Sequence, residues 1–245
     1  MTPEILIDHP EGGIAILRLN ATGRKNALTG SMALALIEAC KQLDADPNVG
    51  AVVITGGADA FCAGAHRDLL TAAGTREDSN ATSDLESIYQ AFSTVRALEV
   101  PTIASICGPA VGAGLNLALA CDVRIVGRNA YLRSMFVAND IHPAGGHLRM
   151  LLEIGGPSLA VRLAVFDQPL DAEAAVASGL AIGPVAPEDA ERQAARLARH
   201  AGAKPRLARW IRRSLARSTD LAVDDAATLE AEAQLLSLRK FHEEP

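Results

Sequence analysis

Three groups of residues in this chain could do chemistry. Gly108-Pro-Ala-Val-Gly112-Ala-Gly114 lies between an apolar run and an apolar helical pattern. At such a strand-to-helix turn the backbone N–H groups point outwards at the positive end of the helix, which suits an anion or a developing negative charge. The turn alone fits a dinucleotide site, an oxyanion hole, or close strand–helix packing without a ligand. A second glycine element, Ala60-Phe-Cys-Ala-Gly-Ala65, follows another apolar run. The third group is the loop Asn139-Asp-Ile-His-Pro143. There His142 could act as a base and Asp140 could orient it or act alone, while the plain alternative is a solvated loop pair with no catalytic role.

The elements that must position these groups are readable from periodicity. Ile14–Leu19 and Ala51–Thr55 are short β runs, and Ser31 to Leu43 between them has helical apolar spacing, with Ser31 as expected N-cap and Asp46-Pro47 as the stop. Strand, helix and strand imply a crossover unit in a parallel sheet, hence an α/β fold. Pro101–Cys107 and Val123–Val126 are expected strands, and Leu115–Ala120 and Leu85–Leu98 expected helices. The stretch from Thr71 to Ser83, rich in Gly, Thr, Ser and Asn, reads as a mobile loop. From about Glu188 the pattern turns continuously helical, broken at Gly202 and Pro205. The expected division is a core over residues 1–187 and a C-terminal helical region over 188–245.

Composition narrows the function classes. The chain has 245 residues, 49% apolar and 21% charged, enough for a sizeable core. Aromatic residues are 3%, which disfavours base-stacking recognition of single strands, and the net charge of −6 disfavours a polyanion-binding surface. Apolar runs are too short for a membrane span, and the first residues carry no basic start or apolar stretch of a signal peptide. Cys40, Cys62, Cys107 and Cys121 lack paired spacing, so reduced thiols and a cytoplasmic location are expected. No His, Cys or Asp spacing suggests a metal site.

Cys107-Gly-Pro-Ala-Val-Gly-Ala-Gly114 resembles the glycine motif of short-chain dehydrogenases, but those place it near the N-terminus and need a Tyr-x-x-x-Lys pair. The two tyrosines head Tyr89-Gln-Ala-Phe-Ser93 and Tyr131-Leu-Arg-Ser-Met135, neither of which supplies the lysine. A different resemblance spans most of the chain. Arg24-Lys-Asn-Ala-Leu28, Phe61-Cys-Ala-Gly-Ala65, Gly108 to Ala118 with Cys121-Asp-Val-Arg-Ile125, Pro143-Ala-Gly-Gly146, and Pro169 to Leu180 fall in one order. As an ordered set they resemble the enoyl-CoA hydratase/isomerase (crotonase) family.

The resemblance implies a spiral of β-β-α turns with C-terminal helices that build a homotrimer or a dimer of trimers. It implies an acyl-CoA ligand, with coenzyme A entering as part of the thioester substrate and no permanently bound cofactor. The thioester oxygen would meet the N–H groups of Ala65 and Ala113, where the family usually has glycine at the second place. Ala63, Gly64, His66, Asp68 and Gly112 would line the coenzyme channel, and Arg24 and Lys25 would approach its phosphates. Hydratases of the family use two glutamates, and here those places align with Asn116 and Met135. Asn116 can orient water but cannot take a proton. The resemblance therefore implies either a lyase or isomerase with a non-standard acid/base set, for which Asp140 and His142 are the substitute candidates, or a non-catalytic acyl-CoA carrier.

Nine basic residues lie between Arg192 and Arg217 with no acidic residue among them. The plain reading is a set of helix faces paired with acidic groups such as Asp220, Asp224 and Asp225. One alternative is a contribution to the coenzyme phosphates, and a third reading, nucleic-acid binding, is disfavoured by the net charge. His9, His200 and His242 lie in terminal regions and are expected at the surface, and His147 is expected to begin a helix.

Overall fold

The computed structural model describes residues 2–74 and 79–241. Strands β1 (Ile5–Asp8) and β2 (Ile14–Leu19) form an antiparallel hairpin that leads into α1 (Gly30–Ala45) and β3 (Ala51–Thr55). Next come α2 (Arg67–Ala73), α3 (Ser79–Ala97), β4 (Thr102–Ile106), β5 (Pro109–Val111), α4 (Ala113–Ala120), β6 (Val123–Gly127) and β7 (Tyr131–Arg133). The chain continues through α5 (His147–Ala164), β8 (Leu170–Asp171), α6 (Ala172–Ala177) and β9 (Ile182–Val185). It closes with α7 (Ala190–Gly202), α8 (Pro205–Ser218) and α9 (Val223–Phe241).

The larger sheet has the order β1-β2-β3-β4-β6-β9 and is parallel from β2 to β9. A second, short sheet, β5-β7-β8, runs alongside it. Isolated parallel bridges, Cys62 to Ala110 and Leu28 to Ala65, continue the second layer towards the N-terminal end. Successive turns therefore repeat a long strand, a short one and a helix, the α/β spiral expected from the resemblance. Side chains alternate across the long strands. Leu17, Val52, Ile54, Ala104 and Ile106 face the core formed with α1, α3 and α4. Ile14, Ile16, Val53 and Ile103 face the other way, against Ala194 and Ala198 of α7. Alanines at four-residue spacing leave α7 a flat face, which lets it lie close on the sheet.

Two expectations are corrected here. Thr29, not Ser31, caps α1: its hydroxyl accepts from Met32 N at 3.2 Å, while Ser31 Oγ only shares a hydrogen bond with it. The stretch 71–83 is largely helical, because α2 ends at Ala73 and α3 begins at Ser79; residues 75–78 lie outside the described residues. Burial of Ala81, Ile88, Ala91, Phe92 and Val95 against the core outweighs the weak helix propensity of the polar residues between them.

Arg209 joins the C-terminal helices to the core. Its guanidinium donates to the carbonyls of Leu43, Asp44, Asp46 and Val49 at 2.7–3.1 Å. Leu43 and Asp44 lie in the last turn of α1, whose carbonyls lack intrahelical partners, and Asp46 and Val49 lie in the connection to β3.

Candidate active site

The first glycine element is fixed by backbone, with Asn26 as the anchor. Asn26 is buried in the left-handed region, φ 56°, which asparagine tolerates better than most residues. Its Oδ1 accepts from Ala21 N at 2.8 Å, and its Nδ2 donates to the carbonyls of Gly56 and Ala60 at 3.0 Å. That ties residues 21–28 to the end of β3. Leu28 N then donates to Gly64 O at 2.7 Å, and His66 N to Leu28 O at 2.8 Å. In such a parallel bridge the residue between the two bonded neighbours, Ala65, turns its own N–H away from Leu28. Ala65 lines a cavity, and among the described residues no hydrogen bond engages its N–H.

The second element is β5 and the start of α4. Gly112 has φ 53° and ψ −115°, a conformation open to glycine alone. Ala113 follows as the first residue of α4, where the N–H has no intrahelical acceptor. The positive φ thus falls on Gly112, which is why alanine fits at 113. The two elements touch: Cys62 N donates to Pro109 O, and Val111 N to Cys62 O, both at 3.0 Å. A Cβ on Gly64 would stand 2.9 Å from Val111 O and 3.9 Å from Ala113 N. Two N–H groups without partners among the described residues, from Ala65 and Ala113, therefore border one cavity.

That cavity holds about 500 Å³. Ala63, Gly64, Ala65, Gly112 and Ala113 form one end, and Leu70, Ile88, Phe92, Met135, Phe136 and Ile141 give it apolar walls. Its polar wall includes Asn116, Ser134 and Tyr89, and Arg67 is a cation on its lining; no carboxylate lines it among the described residues. Cys62 lies behind the first element with its thiol donating to Asn26 O at 3.0 Å. Burial pushes that thiol up to about 12, so it is no nucleophile.

A buried polar chain runs through the floor. Asn116 Nδ2 donates to Ala144 O at 2.9 Å, which leaves Oδ1 to face His147 Nδ1 at 2.6 Å. An amide oxygen can only accept, so Nδ1 must carry the proton of a neutral ring. Nε2 is then a lone pair, and Ser134 Oγ, 2.5 Å away, is its donor. All three residues are at most 1% exposed. Burial lowers the His147 pKa to about 4, so the ring is neutral at physiological pH.

The sequence candidates divide accordingly. Ala63, Gly64, Ala65, Gly112, Ala113 and Asn116 all line the cavity, as does Met135, held at φ 65° by its N–H donating to Asp167 Oδ1 at 2.8 Å. Asp140 and His142 are not brought to it. Their neighbours Asn139 and Ile141 line the wall, while both residues are exposed and His142 Nδ1 lies 2.7 Å from the Pro143 carbonyl. His66 heads α2 beside the cavity without lining it, and the Asp68 side chain is 92% exposed. Arg24 is paired with Glu4 at 2.6 Å, and Lys25 is exposed, meeting the site only through its carbonyl, which accepts from Ala63 N.

The basic stretch finds acidic partners other than those expected: Arg192 meets Asp189, Arg209 meets Asp44, Arg212 meets Asp122, and Arg213 meets Glu99. His9 and His200 are exposed, and His242 lies outside the described residues. Ser134 and His147 were not among the candidates. One signal for His147 was available: it shares an inward helix face with Met150 and Leu151, both buried.

A family model described as enoyl-CoA hydratase/isomerase matches residues 9–244. Among curated proteins, a probable enoyl-CoA hydratase of Mycobacterium tuberculosis is 43% identical over 169 residues, which cover 69% of this chain and 65% of that protein. One of Mycobacterium leprae is 31% identical over 185 residues, 74% of this chain and 63% of that protein. The chain thus matches somewhat less than two thirds of the length of these relatives. Among solved structures, an enoyl-CoA hydratase from Polaromonas sp. JS666 superposes with a TM-score of 0.87 at 27% identity, covering 96% of this chain and 91% of that one. One from Bacillus anthracis gives 0.87 at 26% identity, covering 98% and 96%.

Proposed function

Because this chain belongs to the enoyl-CoA hydratase/isomerase family, we propose that it binds an acyl-CoA thioester in the cavity and polarises the thioester oxygen with the N–H groups of Ala65 and Ala113. The observation that carries this reading is a pair of backbone donors on one cavity wall that have no partner among the described residues, one of them at the positive end of α4. An enolate or tetrahedral adduct places negative charge on the thioester oxygen. Fixed donors stabilise that charge without reorganising, and one such donor is typically worth ~3–4 kcal/mol. The apolar walls suit the acyl group. Lys25, exposed outside the first glycine element, and Arg67, on the lining, are the cations proposed for the coenzyme phosphates.

The reaction class is inferred from the side chains at Asn116 and Met135. Activation of water by paired carboxylates is not open to Asn116 and Met135. Enolate chemistry of the lyase or isomerase type needs the oxygen site and one proton acceptor, so it is the activity assigned here. A non-catalytic acyl-CoA carrier is the second reading, favoured by the absence of any carboxylate on the described cavity lining. Assembly into a homotrimer or dimer of trimers belongs to the same proposal, supported by Leu207, Ile211 and Leu215 exposed along α8. Four unpaired, buried thiols support a cytoplasmic setting.

Incubation with enoyl-, 3-hydroxyacyl- and malonyl-type CoA thioesters tests the reading. Binding with turnover of at least one is expected. Binding without turnover of any would leave the carrier, and no binding would overturn both readings.

A further inference from the structure

We infer that Ser134, His147 and Asn116 form a proton relay beneath the bound thioester, with the Ser134 hydroxyl exchanging a proton at the acyl α-carbon in place of the missing carboxylates. The inference rests on the acyl-thioester reading and adds the group that moves the proton.

The geometry orders the relay in one direction. Ala144 O fixes the Asn116 amide, the amide oxygen fixes the proton on His147 Nδ1, and the free Nε2 accepts from Ser134 Oγ. Each group has one role that its neighbour dictates. Ser134 and Asn116 belong to the cavity wall, whereas His147 lies behind it. Ser134 is therefore the catalytic residue, and His147 and Asn116 are positioning residues that act through it. The ring of Phe136, 4.9 Å from that of His147, covers the imidazole and keeps water away.

The step balances without any co-reactant. The α C–H bond breaks, and its electron pair moves onto the thioester oxygen as an enolate held by Ala65 and Ala113. Ser134 Oγ takes the proton while passing its own to His147 Nε2, giving an imidazolium whose Nδ1–H stays bonded to Asn116 Oδ1. The reverse sequence returns a proton to carbon. Two groups exchange hydrogens and no charge is created in excess.

Basicity supports the assignment. An imidazole of pKa near ~6.5 would be half protonated in mildly acid solution. Burial brings His147 to about 4, close to the ordinary glutamate value of ~4.3. The ring is therefore unprotonated at neutral pH and free to accept there. Burial is the whole cause of the shift. No charged group facing the ring from α4, from residues 134–136 or from α5 contributes to it among the described residues.

The test uses the full chain with butyryl-CoA in D2O. Calorimetry reads binding, and proton NMR reads deuterium entering the α-position. Wild type should bind and exchange. Ser134→Ala should bind with little change and lose exchange by about 100-fold or more, the usual worth of a positioned acid–base group. Asn116→Asp places a carboxylate against His147, so the midpoint of the exchange-versus-pH curve should move upward. A purely structural network would leave that midpoint where it is.

Binding without exchange in wild type would overturn the relay while leaving the thioester reading intact. So would a Ser134→Ala protein that binds and exchanges at the wild-type rate, or an Asn116→Asp protein with an unmoved midpoint. Absence of binding in wild type would overturn the thioester reading, and the relay with it.

Discussion

Replacing Ala113 by proline would delete a single hydrogen-bond donor with little other change. Ala113 is the first residue of α4, where proline is at home: its fixed φ is helical, and the N–H it lacks has no intrahelical partner there. The residue before proline is normally a difficulty, because its Cβ and an α-region ψ clash with the ring. Here that residue is Gly112, which has no Cβ, and its ψ of −115° lies outside the α region. The hydrogen bond from Gly112 N to Arg133 O is untouched. The thermal midpoint should therefore stay within a few degrees of wild type. Loss of one of two donors should reduce enolate stabilisation by about 3–4 kcal/mol, which is a fall of roughly 100- to 1,000-fold in α-proton exchange. Free coenzyme A, which places no acyl oxygen at the turn, should bind as before and so report an intact channel. A folded Ala113→Pro protein that binds coenzyme A and exchanges at the wild-type rate would refute the assignment of this N–H.

Acid stability should carry the signature of His147. Its folded pKa of about 4 lies below the ordinary ~6.5, so the unfolded chain binds more protons between those values and stability falls as pH drops through that window, by about 3 kcal/mol. In urea denaturation from pH 7 to pH 4, His147→Gln should lack that share of the loss, and a parallel fall in both proteins would contradict it. Arg209→Ala should lower the unfolding free energy by about 3 kcal/mol, since four carbonyls in the last turn of α1 and the connection after it lose a charged donor that is only 11% exposed. An unchanged denaturation midpoint would show that water replaces the guanidinium freely. His142→Ala should leave binding and exchange at wild-type values, because the ring is exposed and turned to its own Pro143 carbonyl. A large loss of exchange would return His142 to the chemistry.

What could be read in advance was local. The two glycine elements, the strands around them and the first residue of α4 are written in contiguous residues whose spacing has one physical meaning. The polar floor is not of that kind. Ser134 and His147 are 13 residues apart, and His147 and Asn116 are 31 apart, so only the folded packing of α4 against α5 shows that they touch. His142 looked better placed because it shares a loop with the cavity wall. Asn139 and Ile141 border the open cavity, whereas Asp140, left-handed after the 3-10 turn Val137–Asn139, and His142 do not. The arginines of α8 show the same limit: the bias in composition was plain, but their carboxylate partners, such as Asp44 on α1 and Glu99 just after α3, are far away in the chain. The stretch 71–83 misled in the other direction, since its polar residues occupy the solvent side of helices whose apolar residues are held by α1 and the core.

The two glycine elements are held by main-chain bonds to Leu28, Lys25, Pro109 and Arg133, and the donors they present are main-chain atoms as well. Mutation can alter every side chain of the cavity without deleting those N–H groups, apart from the rare change to proline. Selection on this scaffold can therefore explore new proton donors and acceptors one at a time while the affinity for the developing oxyanion is inherited unchanged. On the proposed placing of Asn116 and Met135 where the resemblance implies glutamates, this chain need not have decayed. It can equally be a lineage that kept its electrophile site and moved its base one layer deeper into the protein.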